Sequence, residues 1–179
     1  PREGNGWSYK SARRQWSLVD NKQLKYHELN DFDNAMVHLI ADVYNFQQLP
    51  VTKLWEQDAD QVLAYRRGDL VFVYNFNPIK AFSDYGILTP PGEYRTVLST
   101  DNPAYGGFGN IDETVSHFTI ADPLYSPHGV EWLRLYLPPR TAMVLKLQRR
   151  RPGRPRTAAA KKETKPAKES AAPKNSKKK

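Results

Sequence analysis

The residues best suited to chemistry are an aromatic and basic group near the start of the sequence: Trp7, Tyr9, Arg13, Arg14 and Trp16. Aromatic rings stack on sugar rings, and the Arg guanidinium donates hydrogen bonds in a fixed fork that suits oxygen acceptors. This group is therefore the candidate substrate-binding site, with a carbohydrate as ligand. The competing interpretation is a helix that uses the same residues for packing and salt bridges. The residue types alone favour this packing helix over a carbohydrate site.

Acidic residues occur in close pairs, as acid–base catalysis would need, at Asp31 and Asp33, Asp58 and Asp60, and Asp112 and Glu113. None of these pairs lies in an apolar stretch that would raise the pKa of one carboxyl above that of the other. We interpret the pairs as helix caps, turns and solvated positions. From the residues alone, the sequence predicts no catalytic residue.

Metal and cofactor binding also lack a suitable set of residues. The four His residues are scattered and the sequence has no Cys; the His positions are His27, His38, His117 and His128. The glycine-rich stretch 106–109 lacks the Lys-Ser/Thr pair of a phosphate-binding loop, which favours a surface loop. We predict neither a metal nor a cofactor.

The strongest structural signal is a β-hairpin within residues 61–78. Two runs rich in β-branched and aromatic residues, 62–66 and 70–76, flank the turn pair Gly68-Asp69. In the second run both alternating faces are apolar, which predicts a central strand buried on both sides. Because a lone hairpin is marginally stable in water, other strands must cover it.

Further strand signals recur at 53–56, 93–99, 114–121, 132–137 and 141–147, separated by Pro, Gly, Asn and Asp. Some seven short strands of this kind predict a mainly β fold, an antiparallel β-sandwich over residues 48–148. We expect the last two strands to form a hairpin around Pro138-Pro139-Arg140. The predicted core is Leu63, Val71, Phe72, Val73, Phe76, Tyr94, Val97, Phe118, Leu133, Leu135, Leu137, Val144 and Leu145.

Two helices are predicted before the strands. Residues 7–19 favour a short helix, and from Leu24 the apolar positions fall at helical spacing up to about Tyr44, with Asp20 and Asn21 as candidate caps. Two such helices cannot form a stable unit alone, so they either pack on the β domain or end a different domain. In the second case we expect their apolar stripe to face water and the helices to be loosely held.

The net charge of +8 is unevenly distributed. Residues 149–179 contain 13 Lys and Arg against two Glu, a net of +11, which leaves −3 for residues 1–148. This tail has almost no large apolar side chain, so we expect it to be disordered. Its RPGRPR stretch, 151–156, is similar to the core of an AT-hook.

We expect the tail to bind nucleic acids and other polyanions without sequence selectivity, unless it serves only as a solubilising extension. Binding to A·T-rich and G·C-rich duplexes at two salt concentrations distinguishes these cases. Equal, strongly salt-dependent binding supports the expectation, and a strong A·T preference that survives added salt contradicts it.

The location predicted from composition is the cytoplasm. The absence of Cys suits a reducing compartment, and no apolar run approaches the ~20 residues of a membrane span. Because the sequence begins with Pro1, we expect a chain that has been cut, processed or truncated.

Several segments resemble, in one continuous order, the end of 1,4-α-glucan (glycogen) branching enzymes of the α-amylase superfamily. They are 1–10 (PREGNGWSYK), 12–16 (ARRQW), 18–20 (LVD), 29–33 (LNDFD), 68–78 (GDLVFVYNFNP), 83–85 (SDY), 91–94 (PGEY), 105–107 (YGG) and 137–140 (LPPR). The resemblance implies that residues 1–47 are the last helical part of a (β/α)8 catalytic barrel and residues 48–148 the C-terminal β domain. Residues 149–179 have no counterpart in the pattern.

The resemblance also implies an activity that this chain lacks on its own. In that family a nucleophilic Asp, an acid/base Glu and a second Asp lie upstream, on barrel strands, so none maps onto a residue here. The intact enzyme would cleave an α-1,4 linkage of glycogen and transfer the chain to a 6-hydroxyl by the retaining two-carboxylate route. The partners implied are the missing barrel and the α-glucan.

The alternative is a free-standing, non-catalytic glucan-binding β module with a polyanion-binding tail. It would need an exposed row of aromatic side chains on one sheet face. The candidates are Tyr65, Tyr74, Phe82, Tyr85, Tyr94, Tyr105, Trp132 and Tyr136, although most of them alternate as core positions do.

Overall fold

A computed structural model describes residues 16–148 of the chain. Within this range lie helix α1 (Tyr26–Ala41), four 3₁₀ turns (Trp16–Leu18, Phe46–Gln48, Pro103–Tyr105 and Ser126–His128) and eight strands. The strands are β1 (Val51–Gln57), β2 (Val62–Arg67), β3 (Leu70–Asn75), β4 (Phe82–Thr89), β5 (Glu93–Ser99), β6 (Ser116–Phe118), β7 (Glu131–Leu137) and β8 (Thr141–Leu147).

The strands form two antiparallel sheets that face each other across one core. The larger sheet has the order β1-β2-β3-β8-β5-β6, and the smaller sheet pairs β4 with β7. Apolar residues alternate along the strands to meet between the sheets: Val71 and Val73 from β3, and Leu133, Leu135 and Leu137 from β7. The predicted mainly β, antiparallel fold is confirmed.

The predicted β-hairpin is confirmed in its residues and its turn. Strands β2 and β3 pair with Arg67 opposite Leu70, and Gly68 adopts a φ of +64° between them. Strand β3 lies between β2 and β8 in the larger sheet. Leu70 and Phe72 are buried on its outer face and Val71 and Val73 on its inner face, so burial on both sides is also confirmed.

Two strand predictions were wrong. Strand β4 was missed because Ser83, Asp84 and Gly86 interrupt its apolar alternation. The last two strands do not form a hairpin: β7 pairs with β4, whereas β8 pairs with β3 and β5. The Pro138-Pro139-Arg140 segment instead carries the chain from the smaller sheet to the larger one.

Three predicted core residues are exposed: Phe76 (60%), Val97 (36%) and Phe118 (64%). Phe76 follows the last residue of β3, and Phe118 belongs to the edge strand β6. Val97 falls at an irregularity between Thr96 and Leu98, where the β5–β8 register shifts by one residue and Leu98 is buried instead.

Helix α1 begins later and ends earlier than predicted, and neither candidate cap is used. The helix starts after Lys25, which makes no side-chain capping bond. Asn21 Oδ1 accepts a hydrogen bond from the N–H of Gln23 in the turn before it. The short helix predicted at 7–19 lies outside the described residues, apart from the Trp16–Leu18 turn.

Candidate functional site

The structure leaves the predicted carbohydrate site untested. Trp7, Tyr9, Arg13 and Arg14 lie outside the described residues, and Trp16 is the first residue of the Trp16–Leu18 turn. Substrate binding by this group therefore stays a prediction.

Two acidic residues, Asp101 and Asp112, organise loops. The buried carboxylate of Asp101 accepts hydrogen bonds from Asn110 Nδ2 (3.1 Å) and from the N–H of Ile111 (2.8 Å). Asp112 Oδ1 accepts from both the N–H and the hydroxyl of Thr114, and the hydrogen bonds to Thr114 lower the pKa of Asp112. Both carboxylates are held by contacts within turns.

Residues 16–148 contain neither a cluster of metal-binding side chains nor a membrane-spanning helix. In that range no three His, Asp or Glu residues lie close enough to share a metal ion. The helical part of the same range also contains no segment long and apolar enough to cross a membrane.

Helix α1 lies on the outer face of the larger sheet, which identifies one packing partner of the helix. Phe32, Ala35 and Leu39, together with Val43 just beyond the helix, recur every three or four residues and pack on the sheet. Beneath them lie Leu70, Phe72, Leu98 and Val144. The expectation that the apolar stripe faces water is therefore wrong for this side of the helix, because the outer face of the sheet is itself apolar and needs cover.

Specific contacts fix the helix on this face. The rings of Phe32 and Tyr105 meet edge to face with centroids 5.4 Å apart. After the helix, Arg67 donates hydrogen bonds to the carbonyl oxygens of Gln47 and Leu49. The Arg67 guanidinium also lies 4.4 Å from the centre of the Phe46 ring. The spacing of Phe32, Leu39 and Val43 indicated an apolar helix face. The residues that this face contacts on β3, β5 and β8 are distant in sequence, so no local pattern could identify them.

A second apolar stripe of the same helical region is exposed. Leu29 (68%), Met36 (36%) and Val37 (54%) lie on helix α1, and Tyr44 (88%) lies three residues beyond its end. An exposed apolar patch of this kind marks a surface that contacts another molecule or another part of the same protein. We call Leu29, Met36, Val37 and Tyr44 the outer stripe.

An aromatic row continues the apolar surface across the outer face of the sheet. The Tyr65 ring stacks on Phe72 (centroids 4.8 Å apart) and on Tyr74 (6.0 Å), and Tyr74 stacks on Phe76 (5.5 Å). The Tyr65 and Tyr74 hydroxyl oxygens are 3.2 Å apart, and burial raises the pKa of Tyr74, with the hydrogen bond to Tyr65 adding to the rise. Tyr65, Phe72 and Tyr74 therefore cover part of one another's faces, whereas Phe76 at the end of the row is exposed.

Comparison with known proteins places this fold in a family. Residues 55–148 match the family described as "Alpha amylase, C-terminal all-beta domain". The chain is 43% identical over 148 residues to a 1,4-alpha-glucan-branching enzyme of Yarrowia lipolytica, covering 80% of this chain and 21% of that protein.

Plant proteins show a similar degree of likeness. A chloroplastic/amyloplastic 1,4-alpha-glucan-branching enzyme of Oryza sativa subsp. japonica is 42% identical, over 73% of this chain and 15% of its own length. The Arabidopsis thaliana 1,4-alpha-glucan-branching enzyme 2-2 is 40% identical, over 80% of this chain and 18% of its own length. The chain thus spans about a fifth of the length of the curated relatives that it matches.

Proposed function

Because the chain belongs to the family of alpha-amylase C-terminal all-beta domains, we propose that it is the C-terminal portion of a 1,4-α-glucan branching enzyme. The observation that carries the proposal is the 43% identity to a 1,4-alpha-glucan-branching enzyme over 80% of this chain. The whole enzyme would form α-1,6 branches in glycogen by cleaving α-1,4 linkages and transferring the released chain.

In this proposal the β domain supports a catalytic barrel. Residues 1–47 are the last helical part of the barrel and residues 48–148 form the C-terminal domain. Helix α1 then has two partners: its inner side packs on the larger sheet, and the outer stripe meets the rest of the barrel. The exposure of Leu29, Val37 and Tyr44 supports this assignment, since burying them against an apolar partner would be favourable.

The chemistry would come from outside this chain. Retaining transfer between sugars needs two carboxyls about 5 to 5.5 Å apart across the bond, one protonated and one free to attack. Asp101 and Asp112 are instead held by turn contacts. Within the whole enzyme, Trp7, Tyr9, Arg13, Arg14 and Trp16 remain the proposed glucan contacts, and the cytoplasm remains the proposed location.

The isolated chain should therefore be inactive. We expect the purified 179-residue polypeptide to leave the iodine staining of amylose unchanged, because it supplies neither carboxyl. A decrease in staining that persists after removal of contaminating host enzyme would place the active site in this chain and contradict the assignment. The tail, 149–179, remains a proposed polyanion-binding segment, tested by the salt-dependent duplex binding described above.

A further inference from the structure

A cleft of about 290 Å³ opens between the edges of the two sheets, away from helix α1. Strand β1 is the edge of the larger sheet, and β4 is half of the smaller one. The residues that line the cleft include two indoles, a phenol, two carboxylates and a guanidinium, from Trp55, Trp132, Tyr85, Asp60, Asp84 and Arg134. We call it the Trp55/Trp132 cleft.

A chain of hydrogen bonds fixes one wall. Trp55 Nε1 donates to the Tyr85 hydroxyl (3.1 Å), which donates to Asp60 Oδ2 (3.2 Å). Lys80 Nζ holds the other oxygen, Asp60 Oδ1, at 2.7 Å. The hydrogen bond from Lys80 lowers the pKa of Asp60, so this carboxylate is an ionised acceptor at neutral pH. Side chains positioned in this way need little reordering when a ligand binds.

The Trp132 indole forms the part of the lining next to Trp55, and it lies directly over the backbone of Gly86. A Cβ atom at Gly86 would lie 2.9 Å from Trp132 Cε3, so any larger residue would push the ring away. The Trp55 and Trp132 rings meet edge to face with centroids 5.7 Å apart. Trp132 alternates on β7 with the buried Leu133, which directs the indole away from the core.

The charges of the cleft are balanced. Asp84 Oδ2 pairs with Arg134 at 3.2 Å, and Asp60 pairs with Lys80, so each carboxylate has its own cation. An anion would meet two carboxylates, and a cation would have to compete with Arg134 and Lys80. The lining therefore suits an uncharged ligand that carries many hydroxyl groups.

We propose that the Trp55/Trp132 cleft binds a glucose residue of an α-1,4-glucan chain. One indole stacks on the apolar C–H face of the sugar ring and the other, inclined at 69° to it, meets the edge of the sugar. The carboxylates and the Arg134 guanidinium exchange hydrogen bonds with its hydroxyls. The cleft has room for about one sugar ring. The choice of an α-1,4-linked glucan, rather than another sugar, rests on the proposed function.

The test is a titration of the full 179-residue chain with maltoheptaose, followed by the indole N–H signals of Trp55 and Trp132 in proton–nitrogen NMR. We expect saturable shifts of both signals. The double variant Asp84→Asn/Arg134→Gln changes only exposed side chains and should weaken binding about tenfold, the effect of losing one or two hydrogen bonds. The matched control Lys53→Gln/Glu56→Gln removes an exposed ion pair on the same β1 strand but outside the cleft, and should bind as the parent chain does.

Three results would overturn the proposal. The first is no shift of either indole signal, and the second is equal affinity in the Asp84→Asn/Arg134→Gln variant. The third is saturation by cellohexaose or tetramethylammonium as readily as by maltoheptaose, which would indicate a site for other sugars or for cations. Each concerns the cleft alone, whereas the branching-enzyme assignment is tested by branching of amylose, so the two can fail independently.

Discussion

Replacing Asn75 with Ala is expected to lower the free energy of unfolding by about 3 kcal/mol, because it leaves the buried carbonyl groups of Leu137 and Pro138 without a donor. Asn75 is 2% exposed at the end of β3. Its Nδ2 lies 3.0 Å from the carbonyl oxygen of Lys80, 3.2 Å from that of Leu137 and 2.8 Å from that of Pro138. One side chain therefore joins the larger sheet to the start of β4 and the end of β7.

Thermal unfolding of the full chain measures this effect, and we expect the melting temperature to fall by about 10 °C. The matched control is Asn77→Ala. The Asn77 side chain accepts hydrogen bonds from the N–H groups of Ile79 and Lys80, but these groups are exposed and can turn to water. Its expected cost is below about 1 kcal/mol. Equal losses in the two variants would show that Asn75 does not join the sheets.

Replacing Gly68 with Val is expected to cost about 2 kcal/mol, mostly as backbone strain. Gly68 has a φ of +64°, a conformation that a β-branched residue adopts only under strain. A Cβ atom there would also lie 2.8 Å from Leu49 Cδ1, so the Leu49 side chain would have to move. Strand β3 contributes Val71 and Val73 to the core between the sheets, and Leu70 and Phe72 to the cluster beneath helix α1. The destabilisation should therefore extend to both of these apolar clusters.

The comparison variant at this position is Gly68→Asn, since Asn tolerates a positive φ far better than Val does. We expect Asn to retain most of the melting temperature of the parent chain and Val to lose several degrees. A melting temperature that Gly68→Val leaves unchanged would mean that the turn does not hold the hairpin in this conformation.

Local patterns predicted the parts of the fold that local contacts determine. The Gly68-Asp69 turn and the two apolar faces of β3 were readable because a hairpin and its alternation involve neighbouring residues. The pairing of β7 with β4 was not readable, since it depends on where Pro138 and Pro139 direct the chain. The role of Asn75 was equally hidden, because two of its acceptors are 62 and 63 residues away.

The candidate sites, too, were predictable only where they depend on residues that are close in sequence. The apolar spacing of helix α1 was visible in the sequence. Whether the helix packs on the β domain or on a different domain was not, because the sequence does not show that the outer face of the larger sheet is apolar. The Trp55/Trp132 cleft joins residues from β1, β4 and β7, and no pattern in the sequence links them. Tyr85 and Trp132 stood among the eight candidate aromatics, while Trp55 did not.

A fusion enzyme tests most directly whether this domain supports a branching-enzyme barrel. In the Yarrowia lipolytica relative, the portion that this chain matches is replaced by this chain, and branching is measured as the fall in iodine staining of amylose. We expect activity in the fusion and none in the relative shortened by that portion. We also expect reduced activity in a fusion carrying Val37→Glu, while that change leaves the melting temperature of the isolated chain unaltered, since Val37 is exposed there. A folded fusion without activity, or full activity with Val37→Glu, would contradict the proposal that this domain supports a branching-enzyme barrel through its outer stripe.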